Sequence, residues 1–320
     1  MIDNGSSRTP EEAVDDLLRA ELAHGDIVLG TVGPILGHLL ANHDHSLFSD
    51  EVVARIRGMA GHVARQLAEA ELGAPGAEAH DGVMAERIES FSAWLFGSTA
   101  FLGHCHALSL EWQLSQRLED RSGIDPVLSP LLQALIASDA TDTGSAAMAA
   151  LAAQARFMQQ QRRMELPLAE LPADLFHQVL TAWREHGAES GVETGGEIED
   201  RLRQAYDEGA SRRGLLSRLA GGMGSGIRAS LSIAHAGTAL FLTSLAAASR
   251  QDRDLVAVAT NESQRARLAL TLRAAGLSPR EVEEQFLYLH PDVTLPVGFD
   301  GLRIDRAAEL LTDSPRRMVG

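Results

Sequence analysis

The residues best equipped for chemistry are His104, Cys105 and His106, consecutive in the stretch FLGHCHALSLEW that runs from Phe101 to Trp112. Imidazole and thiolate groups serve as nucleophiles, general bases and metal ligands. Three in a row raise three options: a metal site, a nucleophile beside its base, or helix packing. On a helix successive side chains point about 100° apart. His104, Cys105 and His106 then fan around the axis and do not converge on one ion. Cys105 continues the apolar face of Trp94, Phe101, Leu108 and Trp112, where a cysteine acts as a small hydrophobe with a protonated thiol. His104 shares a flank with Glu111, and His106 shares one with Leu110. Each is therefore at most one ligand or base in a site completed from elsewhere.

A second cluster, GHLLANHDH, holds His38, His43, Asp44 and His45. The helix carrying His38 should end near Asn42, leaving His43 and His45 in a loop that could gather ligands. Their spacing matches no standard metal template, and histidine also suits the negative end of a helix. A di-iron carboxylate bundle needs two Glu-x-x-His pairs and two further glutamates. Glu21 with His24 supplies one such pair, and Asp174 with His177 only imitates a second.

Other chemistries find less support. All 28 basic residues are arginine, so a Schiff base and the phosphate-binding lysine of a P-loop are both ruled out. GGMGSG, from Gly221 to Gly226, lacks the preceding strand and the glycine spacing of a dinucleotide fingerprint and reads as an inter-helix turn. No GxSxG follows a strand. The adjacent carboxylates Asp15-Asp16 and Glu283-Glu284 point outward as solvated charges. Two compact basic spots stand out in this acidic chain, QQQRRM (Gln159 to Met164) and SRRG (Ser211 to Gly214). Solvated helix ends account for both, but arginine also recognises carboxylates and phosphates. Arg156 and Arg163 are two helical turns apart and share a face, with Arg162 at its edge.

The elements that must position these groups are helical. The chain has 320 residues, of which 45 % are hydrophobic and only 4 % aromatic. Thr9-Pro10-Glu11-Glu12 is a helix start, expected to lead to about Ala23, with an apolar segment interrupted by Gly33-Pro34 beyond it. Ser49-Asp50 opens a helix through about Leu72. From Asp81 to Arg121, Phe91, Trp94, Leu95, Phe101, Leu102, Leu108 and Trp112 recur at three- and four-residue steps and mark a buried face. Ser278 and Glu281 form a second capping box. DLVAVAT alone competes as a strand, and its neighbours argue for helix. The expectation is an all-α fold, at least about two-thirds helix, as a multi-helix array with HEAT-like stacked helix pairs. The uncharged runs Ser90–Leu110 and Ala229–Ser249 are long enough to span a bilayer. Their serine, threonine, glycine and histidine content makes them core helices instead.

The glycine-rich stretch GAESGVETGG suggests the organisation: a tail over 1–8, a helical domain over 9–186, a linker over 187–196 and a second helical domain over 197–320. The C-terminal GLLSRLAGGMGSGIRASLSIAHAGTALFLTSLA and NESQRARLALTLRAAGLSP, with AALAAQARFMQQQRRMELPLAELPADLF before them, resemble an uncharacterised family of alphaproteobacterial α-helical-repeat proteins. That resemblance implies a helical-repeat fold and carries no activity with it.

The formal net charge of −16 argues against nucleic acid and against anionic membrane surfaces as partners. A polar, acidic N-terminus and a single cysteine suggest a reducing, cytoplasmic setting. The expected function is a non-enzymatic helical scaffold or regulatory module without a cofactor, binding a protein partner through Arg156, Arg162 and Arg163. The rival is a metal- or haem-binding enzyme or sensor using His38, His43, His45, His104 or His106. A third option is an apolar ligand held between FSAWLFGSTAFLG and AGTALFLTSLA.

Overall fold

The computed structural model describes residues 10–42, 50–73, 82–189 and 196–314. They form helices throughout, and no strand occurs among them. In order these are α1 (Pro10–Asn42), α2 (Asp50–Leu72), α3 (Gly82–Leu95), α4 (Thr99–Ser122), α5 (Pro130–Ile136), α6 (Thr141–Arg162) and α7 (Ala173–Glu189). Then come α8 (Gly196–Ala205), α9 (Arg212–Gly222), α10 (Ile233–Ser249), α11 (Arg253–Ala259), α12 (Arg265–Ala274), α13 (Pro279–Leu289) and α14 (Ile304–Asp313), with short 3-10 turns between several of them. The all-α expectation is met, and DLVAVAT lies in α11 and the residue after it.

Three local expectations change. The first helix does not stop near Ala23 but runs on through Pro34 to Asn42. A proline inside a helix removes one hydrogen bond and crowds the carbonyl four residues earlier. Here that earlier residue is Gly30, whose Cα faces open space. Buried Val14, Leu18 and Leu22 on one side of the interruption and Leu36 on the other anchor both stretches. Secondly, the segment from Asp81 to Arg121 is two helices. The amides of Phe96, Gly97 and Ser98 bond back three residues, to Ala93, Trp94 and Leu95, which tightens and ends α3. The Ser98 hydroxyl then accepts from the Phe101 amide and caps α4. Thirdly, one side chain lies off the expected face: Trp94 is 46 % exposed. It stacks on buried Phe91, with ring centroids 5.6 Å apart.

Among the described residues, contacts divide the chain into two compact units that interleave in sequence. The first takes in 10–30, 113–133 and 220–314, and the second 31–42, 50–73, 82–112, 134–189 and 196–219. The expected boundary at 187–196 is not where the units part, because residues on both of its sides belong to the second. Helix α7 continues to Glu189 and α8 starts at Gly196. The tail over 1–8 and the remainder of the linker lie outside the described residues.

In the first unit α10 is the core, with nearly all of its side chains buried. It packs on α11, α12 and α13, while α12 packs on α13 and α14. Gly237 interrupts α10 at φ 68° and ψ 168°. A Cβ there would lie 2.9 Å from the Ser129 Cβ, so only glycine suits both the backbone and the space. A buried polar set joins distant parts of this unit: Arg267 and Ser314 both bond Asp26. The Ser278–Glu281 capping box forms as expected. Its serine hydroxyl and backbone, followed by Arg228, hold the Glu281 carboxyl down to about 2.

In the second unit α2 packs on α3. Val52, Ile56, Met59, Val63 and Leu67 bury one stripe of α2, the spacing of an amphipathic helix. At the end of α6 the chain turns with Met164 in the left-handed region, φ 59°. The Glu165 amide reaches back to the Gln160 carbonyl at 2.9 Å, a Schellman-type stop. Glycine usually fills this position. Here Met164 lies directly against Gly58 of α2, where a Cβ would come within 2.5 Å of the Met164 Cβ.

Candidate functional site

The structure gives the second unit a repeated device. Three buried arginines each lie on an aromatic ring. Arg55 covers Trp112 at 3.8 Å, Arg87 covers Trp183 at 4.0 Å, and Arg212 covers Phe157 at 3.6 Å. Each is also held by hydrogen bonds. Arg55 donates to Glu51 at 2.9 Å and to the Gln161 carbonyl. Glu71 accepts from Arg87 at 2.5 Å and from the Trp183 indole at 3.0 Å. Planar guanidinium groups suit this combination of stacking and forked bonding.

Arg212 makes the most side-chain hydrogen bonds of the three. Its two terminal nitrogens donate to both oxygens of Glu111, at 2.7 and 2.9 Å, and one also donates to Gln154 at 3.0 Å. Its own amide bonds Glu170 at 2.9 Å. Glu111 is fully buried. The set ties α4, α6 and α9 together, so the SRRG spot is not the solvated helix end that its composition suggested. The sequence did carry a signal. Glu111 lies between Leu108 and Leu114 on the apolar stripe of α4, and an acid in such a stripe requires a buried cation.

His104 and His106 are buried on α4 and diverge as the helical spacing requires. Arg213 approaches the His104 Nδ1 at 3.3 Å. A guanidinium only donates, so in this contact Nδ1 accepts. Desolvation pulls the His106 pKa down to about 4, which keeps that ring neutral near pH 7. Of His38 only the backbone is described, within α1, and His43 and His45 lie outside the described residues. Among the described residues no three histidine, cysteine, aspartate or glutamate side chains group as metal ligands would. His62, which the sequence did not single out, is occupied by the backbone of Leu166, as is Gln66.

Cys105 is fully buried. In the native protein its thiol should therefore resist reagents such as dithionitrobenzoate, and react stoichiometrically only after denaturation. Fast native labelling would place it in an open site instead.

The three arginines picked out on α6 remain at the surface. Arg156, Arg162 and Arg163 are all exposed. Met148, Ala152, Arg156, Gln159 and Arg163 line one exposed stripe, spaced by three or four residues. Met148 is 52 % exposed. No carboxylate of the described residues pairs with the three guanidinium groups, in contrast to Arg55, Arg87 and Arg212.

No protein-family model matches this chain, and neither the curated proteins nor the solved structures compared with it include a match.

The second unit also carries a groove. Its cavity measures about 410 Å³ and lies among α2, α7, α8 and the turn Leu168–Glu170. Phe176 and Tyr206 line it as a stacked pair, centroids 4.0 Å apart and 9° from parallel. The Tyr206 hydroxyl donates to the Leu171 carbonyl at 2.7 Å. Burial, and then Glu208, push its pKa up to about 12.

The two uncharged runs serve as core helices: Phe91, Leu95, Phe101 and Leu102 are buried in the second unit, and most of α10 in the first. No helix among the described residues is long and apolar enough to cross a membrane.

Proposed function

We propose that the chain is a non-enzymatic, cytoplasmic helical scaffold or regulatory module whose partner is an acidic segment of another protein, docked along α6. The observation that carries this reading is the contrast among arginines of one unit. Arg55, Arg87 and Arg212 are buried, stacked and bonded. Arg156, Arg162 and Arg163 are exposed and have no partner among the described residues. Arginine is enriched where proteins recognise carboxylates, and Met148 with the alanines beside it offers an apolar strip against which a partner helix can lie. The chain's own net charge of −16 makes this basic stripe a local exception and steers acidic partners to it. The packing of α10 on α11, and of α12 on both, supports reading that region as stacked helix pairs of a repeat fold. The likeness to alphaproteobacterial helical-repeat proteins belongs to the same proposal.

The test is charge reversal. Arg156→Glu with Arg163→Glu should leave thermal unfolding nearly unchanged, because exposed charges contribute about 0–1 kcal/mol. The same pair should abolish partners that the wild type recovers from its native lysate at low salt, and raised salt should weaken the wild-type interaction. An Arg65→Glu control, an exposed charge on α2, should retain them. Equal recovery by the double variant removes the stripe from the proposal, and recovery of the chain itself as the only bound species points to self-association instead.

A further inference from the structure

We propose that the groove of the second unit is a small-molecule site for an aromatic amino acid, with the ligand's ammonium on Glu69 and its carboxylate on Arg201. At about 410 Å³ the cavity is of ligand-binding size; such pockets run from about 300 to 1,000 Å³. Its walls are mostly apolar, including Leu168, Leu202 and the stacked Phe176 and Tyr206. A stacked aromatic pair in a wall favours an aromatic guest, through offset or edge contacts with the rings.

The polar lining narrows the ligand further. Gln66 is consumed by the fold: its carbonyl accepts from the Leu168 amide at 3.0 Å, and its amide donates to the Leu166 carbonyl at 2.9 Å. The Tyr206 hydroxyl donates its hydrogen bond to the Leu171 carbonyl. Two charged groups of the lining are left. Among the described residues Arg201 donates to the Ala70 carbonyl at 2.8 Å, and a guanidinium carries five N–H donors. Glu69 is half-buried in the wall and has no partner among the described residues. No ion pair joins Glu69 to Arg201, so each can face a ligand.

This pairing selects for charge type. An anionic ligand that reaches Arg201 brings its charge towards Glu69, and a cationic one on Glu69 is brought towards Arg201. A zwitterion satisfies both, and a site that leaves either charge unpaired in a partly dry cleft rejects the ligand concerned. The aromatic body then occupies the space between Leu168, Leu202 and the stacked rings.

Calorimetric titration of the intact protein tests this with three probes: L-tryptophan, N-acetyl-L-tryptophan, which lacks the cation, and L-tryptophan methyl ester, which lacks the anion. The wild type should bind the zwitterion about tenfold or more tightly than either blocked form. Glu69→Gln should erase the preference over the N-acetyl compound and keep the preference over the ester. Arg201→Gln should do the reverse. Both replaced side chains are at least partly exposed, and unchanged thermal unfolding will establish that the variants fold. Absence of binding to the wild type at millimolar L-tryptophan, equal binding of all three probes, or preferences that neither variant alters would each overturn the proposal.

Discussion

Glu111→Ala is expected to lower the stability of the protein by about 3–5 kcal/mol, the usual cost of stranding one partner of a buried ion pair. The Arg212 guanidinium would keep its place over Phe157 at 3.6 Å and its bond to Gln154. It would lose both charge-assisted bonds to the carboxylate, at 2.7 and 2.9 Å. Denaturant unfolding followed by circular dichroism measures the loss as a lower midpoint at constant slope. A second variant separates the ion pair from packing: Glu111→Leu combined with Arg212→Met should restore most of the stability, because a hydrophobic replacement of both partners removes the stranded charge. A loss of less than about 1 kcal/mol for Glu111→Ala, the ordinary worth of a solvated pair, would show that water reaches the site.

The second large effect is a contrast between two glycines three residues apart on α2. Gly58→Ala should destabilise the protein by about 1–3 kcal/mol, as overpacking does. The new Cβ would meet the Met164 Cβ at 2.5 Å and its carbonyl oxygen at 2.8 Å. That oxygen is backbone, on a residue already in the left-handed region at φ 59°, so it cannot withdraw as a flexible side chain would. Gly61→Ala should act in the opposite direction. Nothing lies within 4 Å of its added Cβ, and alanine exceeds glycine in a helix interior by about 1 kcal/mol. Thermal unfolding of the two variants side by side should bracket the wild type. If both are destabilised, α2 is strained along its length and the close crossing at Gly58 is not the cause.

The helical class and many of the helix ends were legible because they are local matters. Ser278 and Glu281 meet within one turn, and the capping box they announce is formed. Asp50 to Leu72 carries its own apolar stripe, and α2 spans those residues. The divergence of His104, Cys105 and His106 followed from helical pitch alone, and the burial of Cys105 from its place on the apolar face. The break at Gly97-Ser98 was less visible. The apolar pattern continues across it, and only the capping serine marks it.

What the sequence could not decide were the partners of charged side chains across long separations. Arg212 and Glu111 are 101 residues apart in the chain, and no periodicity links them. Composition placed Arg212 among solvated helix ends, whereas the meeting of α4, α6 and α9 buries it. The same limit holds for the groove: Glu69, Phe176, Arg201 and Tyr206 come from three separate stretches and share a wall only after folding. The division into units was equally hidden, since each collects distant segments. That the chain is helical, and where most of its helices lie, can be read from local pattern, because hydrogen bonding and capping act within a few residues. Which arginines are buried and which stay exposed emerged only on folding, because desolvation and ion pairing depend on which helix faces meet.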